Sequence, residues 1–314
     1  MVIGDSEKFY RGCLLAVLLL LCPWLTSAEP ATSDDCRPLQ ITPQETGQPL
    51  AYANAVLWKV SRDGQLPSYI FGTIHVSDPE IAALPEPVSS AFNSARVFVM
   101  EALPDPEESR KLSRMMYFDN GKRLRDYLDE DLFKRTATIL DDYRVSADSV
   151  AFMKPWAAFI IMSYPLGEGM PLDMQLLDSA RRNGMDTRGL ETLSEQGQVF
   201  SAMDLESQVR LLLDTVCNYE AVNAEFEIMK SLYLQRDLQA LYIYNKKNSF
   251  TADQLYADLF KRLLTDRNVL MVERMQPALA GGNAFIAIGA MHLPGADGVL
   301  SLLARQGYTI TAIY

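Results

Sequence analysis

Positive charge is in short supply. Twenty-nine Lys and Arg stand against 40 Asp and Glu, which leaves a formal net charge of −11 and an isoelectric point near 4.8. Nucleic acid and anionic membrane both select basic faces, so neither is expected as a partner. A cationic or neutral substrate fits the balance better. Beyond the N-terminal segment no apolar run is long enough to cross a bilayer. "WAAFIIM", Trp156 to Met162, is short, follows Lys154-Pro155, and reads as a buried helix. There is no G-x-S-x-G, no H-E-x-x-H, no P-loop and no complete G-x-G-x-x-G. "GEG", Gly167 to Gly169, lacks both the following glycine and the preceding strand. No serine therefore has the setting of a nucleophile elbow, and no helix-borne zinc pair or phosphate cradle is present. Histidine is scarce too, with His75 and His292 alone in 314 residues.

What the chain does have is an ordinary globular composition. It is 48% apolar and 22% charged, enough to bury a core without staples. The first 28 residues read as a signal peptide. Lys8 and Arg11 precede the apolar run "CLLAVLLLLC", Cys13 to Cys22, and Thr26-Ser27-Ala28 forms a small-residue cleavage site. Export to a periplasm or to the outside follows, and the membrane matters only if this segment is retained as an anchor. Removal of the segment leaves Cys36 and Cys217. In an oxidising compartment they form one disulfide or remain two separate thiols, and the sequence leaves both open. Residues 29–50 read as a loosely ordered lead, and 51–314 as a single domain with a helical portion over about 194–279.

Within that domain, "AVLWKVS" and "SYIFGTI" flank "RDGQLP" and read as a β-hairpin. A short helix is expected over Pro85–Ala95, a buried strand over Arg96–Ala102 and a short strand over Met185–Glu191. An amphipathic helix is expected from Leu172, with Gly184 as its stop. "TLSE", Thr192 to Glu195, has capping-box spacing for the next helix. Residues 284–314 read as strand, turn, helix, strand.

Both histidines end a matched phrase. "YIFGTIHV" runs from Tyr69 to Val76 and "FIAIGAMHL" from Phe285 to Leu293, each an apolar strand closing in Gly-x-x-His. The stretches that follow share the order strand, loop, helix, strand, as an internal duplication would. The fold class is accordingly α/β: a mixed central sheet built from two related strand-GxxH-helix-strand halves, with an inserted helical layer. Duplication would set the histidines face to face at the C-terminal edge of the sheet, where α/β proteins bind ligands. An imidazole there can hold a metal or move a proton; the plainer alternative is a hydrogen-bonded structural histidine.

A metal site of this kind adds a carboxylate. Glu101 closes the apolar strand "RVFVM", where a lone charge would be costly unless paired. Glu191 closes "MDTRGL" in the same way, although it also precedes a helix, where acidic residues are favoured. Asp173 reads as a first-turn helix charge and Asp78 as a loop residue. Arg267 and Arg274, seven apart on one helix face, are candidates for steadying a developing oxyanion, or else solvated helix arginines.

These phrases, with "LDMQLLDSARRNG…GLETLSEQ", "DRNVLMVERM" and the closing segment to Tyr314, resemble the TraB/GumN family. That family takes in TraB/PrgY pheromone-shutdown proteins, bacterial GumN proteins and the Tiki proteases of animals. The resemblance covers roughly Leu57 to Tyr314. It implies an α/β core related to erythromycin esterase and ChaN-like proteins. It also implies a divalent ion such as manganese, cobalt or zinc, held by His75, His292 and Glu101. Glu191 falls in the family's "GLE" stretch, and Arg267 and Asn268 in its "RN" stretch.

The expected function is an exported metal-dependent hydrolase, a peptidase, acting on a peptide or small-molecule substrate. His75, His292 and Glu101 would hold the metal. Glu101, Glu191, Arg267 and Arg274 would be the catalytic set, with Glu191 as general base. The alternative is a peptide- or ligand-binding protein without turnover, akin to the pheromone inhibitors. Haem or metal binding of the ChaN kind is the third reading.

Overall fold

The computed structural model describes residues 30–38, 48–166, 169–248 and 253–314. The expected signal peptide, most of the "GEG" phrase and residues 39–47 of the lead lie outside them. Among the described residues no helix is long and apolar enough to cross a membrane.

The centre is a six-stranded mixed sheet. Its strands are β1 (Leu57–Ser61), β2 (Ser68–Thr73), β3 (Val97–Ala102), β4 (Asp186–Glu191), β5 (Ala284–Gly289) and β6 (Thr309–Ala312). They lie in the order β4-β3-β5-β2-β1-β6. The expected hairpin forms, with β1 antiparallel to β2. β4, β3, β5 and β2 are parallel neighbours, so their C-terminal ends share one edge. β3 and β5 are almost wholly buried and read as continuous apolar runs, as strands covered on both faces must. Phe285 on β5 packs against Phe71, Phe92 and Phe98 at ring separations of 5.8, 5.3 and 6.5 Å.

The two Gly-x-x-His strands are adjacent and parallel, with Thr73 opposite Gly289. The strands that follow them are not equivalently placed. β3 pairs with β5, whereas β6 pairs antiparallel with β1 at the far edge of the sheet. The hairpin strand β1 occupies the place beside β2 that a two-fold repeat would give to β6. The matched phrases therefore bring the histidine strands together without making the two halves superposable in connectivity.

A second hydrophobic cluster lies among the helices, around Trp156, Leu140, Leu211 and Phe200. "WAAFIIM" is part of it, as the buried helix Pro155–Met162. The helical layer thus draws on Glu130–Asp142 and Pro155–Met162 as well as on the run from Leu193 to Gly281. Residues 30–38 of the expected loose lead are pinned to this layer. Ala31 bridges Leu128, Cys36 is disulfide-bonded to Cys217, and Arg37 reaches the fully buried carboxylate of Asp214. Arg210 and the Tyr256 hydroxyl also donate to Asp214, at 2.8 and 3.0 Å, so its buried charge is shared among several donors.

Gly72 shows how tightly the histidine strands are held. A Cβ there would stand 2.8 Å from Cδ1 of Leu293 and 3.0 Å from Cα of Ala290, in the turn that carries His292. The second contact is backbone and has little room to yield. Gly72→Ala is expected to lower stability by about 1–3 kcal/mol through overpacking, measured by urea unfolding.

Candidate active site

Four strand ends supply the site. From β4 inward along the sheet edge they carry Glu191, Glu101, Gly289 with His292 just beyond, and Thr73 with His75 two residues on. Glu101 precedes Ala102, the register partner of Glu191, so the two strand-end glutamates stand one residue apart along the sheet edge.

Arg267 lies between these carboxylates. Its Nη2 is 2.6 Å from Oε2 of Glu101 and 2.8 Å from Oε2 of Glu191, and its Nε donates to both Glu191 oxygens at 3.0 and 3.1 Å. All three side chains are nearly sealed, with 12%, 10% and 4% of their surfaces exposed for Arg267, Glu101 and Glu191. The amide of Gln196 adds donors to both glutamates at 3.2 and 3.3 Å. The second oxygen of Glu101 accepts the Gly289 N–H at 2.7 Å. Burial alone would push the Glu101 carboxyl up. The neighbouring His292 ring, the charges of Arg267 and His75 and the Gly289 bond outweigh it and hold the group well below the usual carboxylate range.

The helix that delivers Arg267 is irregular just before it. A six-residue π-helical stretch, Lys261–Asp266, joins Gln254–Phe260 to Arg267–Arg274. The Leu263 carbonyl in that stretch accepts from Nη1 of Arg267 at 3.1 Å. Such stretches shift the rotational register of a helix and are frequent at functional sites. Here Arg267 turns to the glutamates and Asn268 to His292.

Asn268 settles the tautomer of His292. Its Nδ2 donates to the Asp297 carbonyl at 2.8 Å, which can only accept, so its Oδ1 faces Nδ1 of His292 at 2.6 Å. Nδ1 must then carry the proton, and the lone pair is on Nε2, which stands 3.7 Å from Oε1 of Glu101. His292 is buried, and that burial lowers its proton affinity to a pKa of about 4 despite the Glu101 charge. His75 sits nearer the opening, with 39% of its side chain exposed, and its Nδ1 is 3.4 Å from Oδ1 of Asp173. Burial draws its pKa down, but Asp173 and the Glu101 charge raise it to about 8. Asp173, read from the sequence as a first-turn charge, is thus the carboxylate that stands beside Nδ1 of His75. This is the arrangement by which carboxylates and carbonyls orient metal-binding imidazoles.

Among the described residues no group of three or more His, Cys, Asp or Glu side chains is placed closely enough to hold a metal ion as it stands. The donor chemistry nonetheless converges on one space, the open side of Gly289. A Cβ there would lie 3.1 Å from Oε1 of Glu101, 3.4 Å from Cδ2 of His292 and 3.9 Å from Nε2 of His75. One carboxylate oxygen and two imidazoles, that of His292 with its Nδ1 already hydrogen-bonded, are donor types of the kind a divalent ion takes.

Of the remaining expected residues, Arg274 stands apart from the histidines. It is tied to Glu195 at 2.7 and 2.8 Å and to the Leu190 carbonyl at 2.8 Å. It lines a cleft of about 680 Å³ together with Glu191, Arg267 and Arg262, which reaches the ion pair from the helical side. Arg267 and Glu191 are engaged with each other, so proton transfer by Glu191 would require that pair to open. Asp78 caps a short helix and pairs with Lys230. Asn268 entered the sequence reading only through the family phrase. Gln196 was not singled out, although its place one turn into the capped helix after Glu191 puts it within reach.

The TraB/PrgY/gumN family model matches residues 56–312, and the chain belongs to that family. Curated relatives include the metalloprotease TIKI2 of Danio rerio, 27% identical over 82% of this chain and 60% of its own length. The metalloprotease TIKI1 of Danio rerio is 25% identical over 84% and 64%, and TIKI1 of Homo sapiens 23% identical over 82% and 61%. The chain spans about three-fifths of the length of these relatives. No solved structure matches it.

With two histidines in the chain, their ring protons can be followed by NMR without ambiguity. In metal-free protein His75 is expected to titrate near pH 8 and His292 near 4, and Asp173→Asn should bring His75 back towards its ordinary 6.5. The His75 pKa is raised on folding, so its contribution to stability is complete below pH 6.5 and is lost as pH rises through about 8.

Proposed function

We propose that this chain is an exported, metal-dependent hydrolase of peptides. The observation that carries the reading is the space beside Gly289, bordered by Oε1 of Glu101 and by both imidazoles. His75 Nε2, His292 Nε2 and Glu101 Oε1 would hold one divalent ion. Such an ion, when bound, supplies an activated water and polarises the scissile carbonyl.

The protein's own groups have separable parts in this reading. Asn268 keeps the proton of His292 on Nδ1, so its Nε2 presents a lone pair, while His75, with Asp173 beside its Nδ1, would offer Nε2 once the ring gives up its second proton. Arg267 holds Glu101 ionised by occupying Oε2, which leaves Oε1 for the site. Glu191 and Gln196 fix Arg267 and Glu101 in turn. The low proton affinity of His292 keeps it in its donor form well into the acid range. The names of the animal relatives, which describe metalloproteases, support the same class of reaction. Export is supported by the N-terminal sequence and by the Cys36–Cys217 disulfide, a bond that persists in oxidising compartments.

A quenched-fluorescent peptide library tests the proposal. Purified protein, stripped with chelator and reloaded with manganese, cobalt or zinc, should cleave a subset of peptides only when reloaded. Glu101→Gln and His292→Ala should each lose at least about 10²-fold in kcat/KM while remaining folded, since each removes a ligand. Binding without cleavage by the reloaded wild type would instead support the non-catalytic peptide-binding reading.

A further inference from the structure

Attack on a peptide carbonyl gathers negative charge on its oxygen, and a hydrolase needs a donor there. Most donors at this sheet edge are already engaged. Arg267 gives N–H groups to Glu101, Glu191 and the Leu263 carbonyl, and the Gln196 amide serves both glutamates. The Gly289 N–H goes to Glu101, the Asn268 amide to the Asp297 carbonyl, and Arg274 to Glu195 and Leu190. The arginines expected to steady an oxyanion are therefore largely committed to holding the site together.

One hydroxyl beside the histidines is not. Tyr164 follows the buried helix Pro155–Met162, and its ring stands edge-on to the imidazole of His75, with centroids 6.4 Å apart and an interplanar angle of 63°. The residue is 47% exposed, so its position is open to a ligand arriving at His75. Its backbone is not loose, because the Tyr143 hydroxyl donates to its carbonyl at 2.7 Å. Among the described residues no protein group hydrogen-bonds its hydroxyl. A phenol ordinarily titrates at about pH 10, so the hydroxyl is a proton donor at neutral pH.

We propose that Tyr164 is a further catalytic residue, whose hydroxyl donates a hydrogen bond to the carbonyl oxygen of the peptide bond under attack. The inference rests on the reading of the chain as a peptide hydrolase. The phenol keeps its proton throughout and acts only as a preorganised donor. Its placement beside His75 would put it on the outer side of the site, across from the sealed Arg267 pair.

The test compares wild type with Tyr164→Phe, which keeps the ring against His75 and removes only the hydroxyl. The probes are a peptide selected from the library with wild-type protein and the phosphinate analogue of that peptide, which mimics the tetrahedral oxygen. Tyr164→Phe should lower kcat by about 10²-fold with KM within threefold, in line with loss of one such donor. It should weaken phosphinate binding, measured by calorimetry, by a similar factor while metal content and melting temperature stay unchanged. Unchanged kcat and phosphinate affinity in an active preparation would overturn this inference alone. Loss of metal or of folding together with activity would also overturn it, by showing a structural role. A wild-type protein that cleaves nothing when reloaded with metal would overturn both the inference and the reading beneath it.

Discussion

The ion pair of Arg267 with Glu101 and Glu191 is the constraint around which the sheet edge is organised. Two carboxylates at the buried ends of neighbouring strands would repel each other and carry a desolvation cost of several kcal/mol each if unpaired. One guanidinium resolves both problems because its planar fork can serve two carboxylates together. It also fixes the relation between the sheet and the helical layer, since Arg267 is on a helix and the glutamates are on β3 and β4. The helix cannot be rotated without breaking that fork. The π-helical stretch before Arg267 sets its rotation, and Asn268, the next residue, reaches His292 as a consequence.

From that fork the polarity of the site follows outward. Glu101 is held ionised by its cationic neighbours and keeps one oxygen facing the space beside Gly289. His292 is held neutral by burial and His75 is pulled towards the charged form by Asp173, so the two imidazoles differ although their local sequence phrases match. The inner histidine is sealed behind an amide and the outer one is open to solvent beside Tyr164. A substrate would therefore approach from the His75 side, and glycine at position 289 keeps room for a ligand between the two.

Much of this was legible in the sequence, for specific reasons. Histidine is so scarce that two copies in one motif stand out, and the first motif needs its glycine because the backbones of β2 and of the His292 turn approach closely at Gly72. Glu101 was visible because a charge ending an apolar strand must have a partner. Less legible were residues whose role depends on distant register. Asn268 is a neutral polar residue on an amphipathic helix and leaves no periodic trace. Asp173 looks like any first-turn acid until the fold sets its helix beside His75, and Arg274 shares a helix face with Arg267 yet spends its charge on Glu195. The connectivity after the second histidine was not legible either. Pattern alone does not reveal that β1 intervenes between β2 and β6.

The central claim is that the open side of Gly289 is the seat of a divalent ion. Anomalous X-ray diffraction from crystals of the chain grown with manganese, cobalt or zinc addresses it directly. The account predicts one strong anomalous peak within coordination distance of His75 Nε2, His292 Nε2 and Glu101 Oε1. A fully loaded crystal whose peak lies elsewhere, or that shows none at this edge, would contradict it.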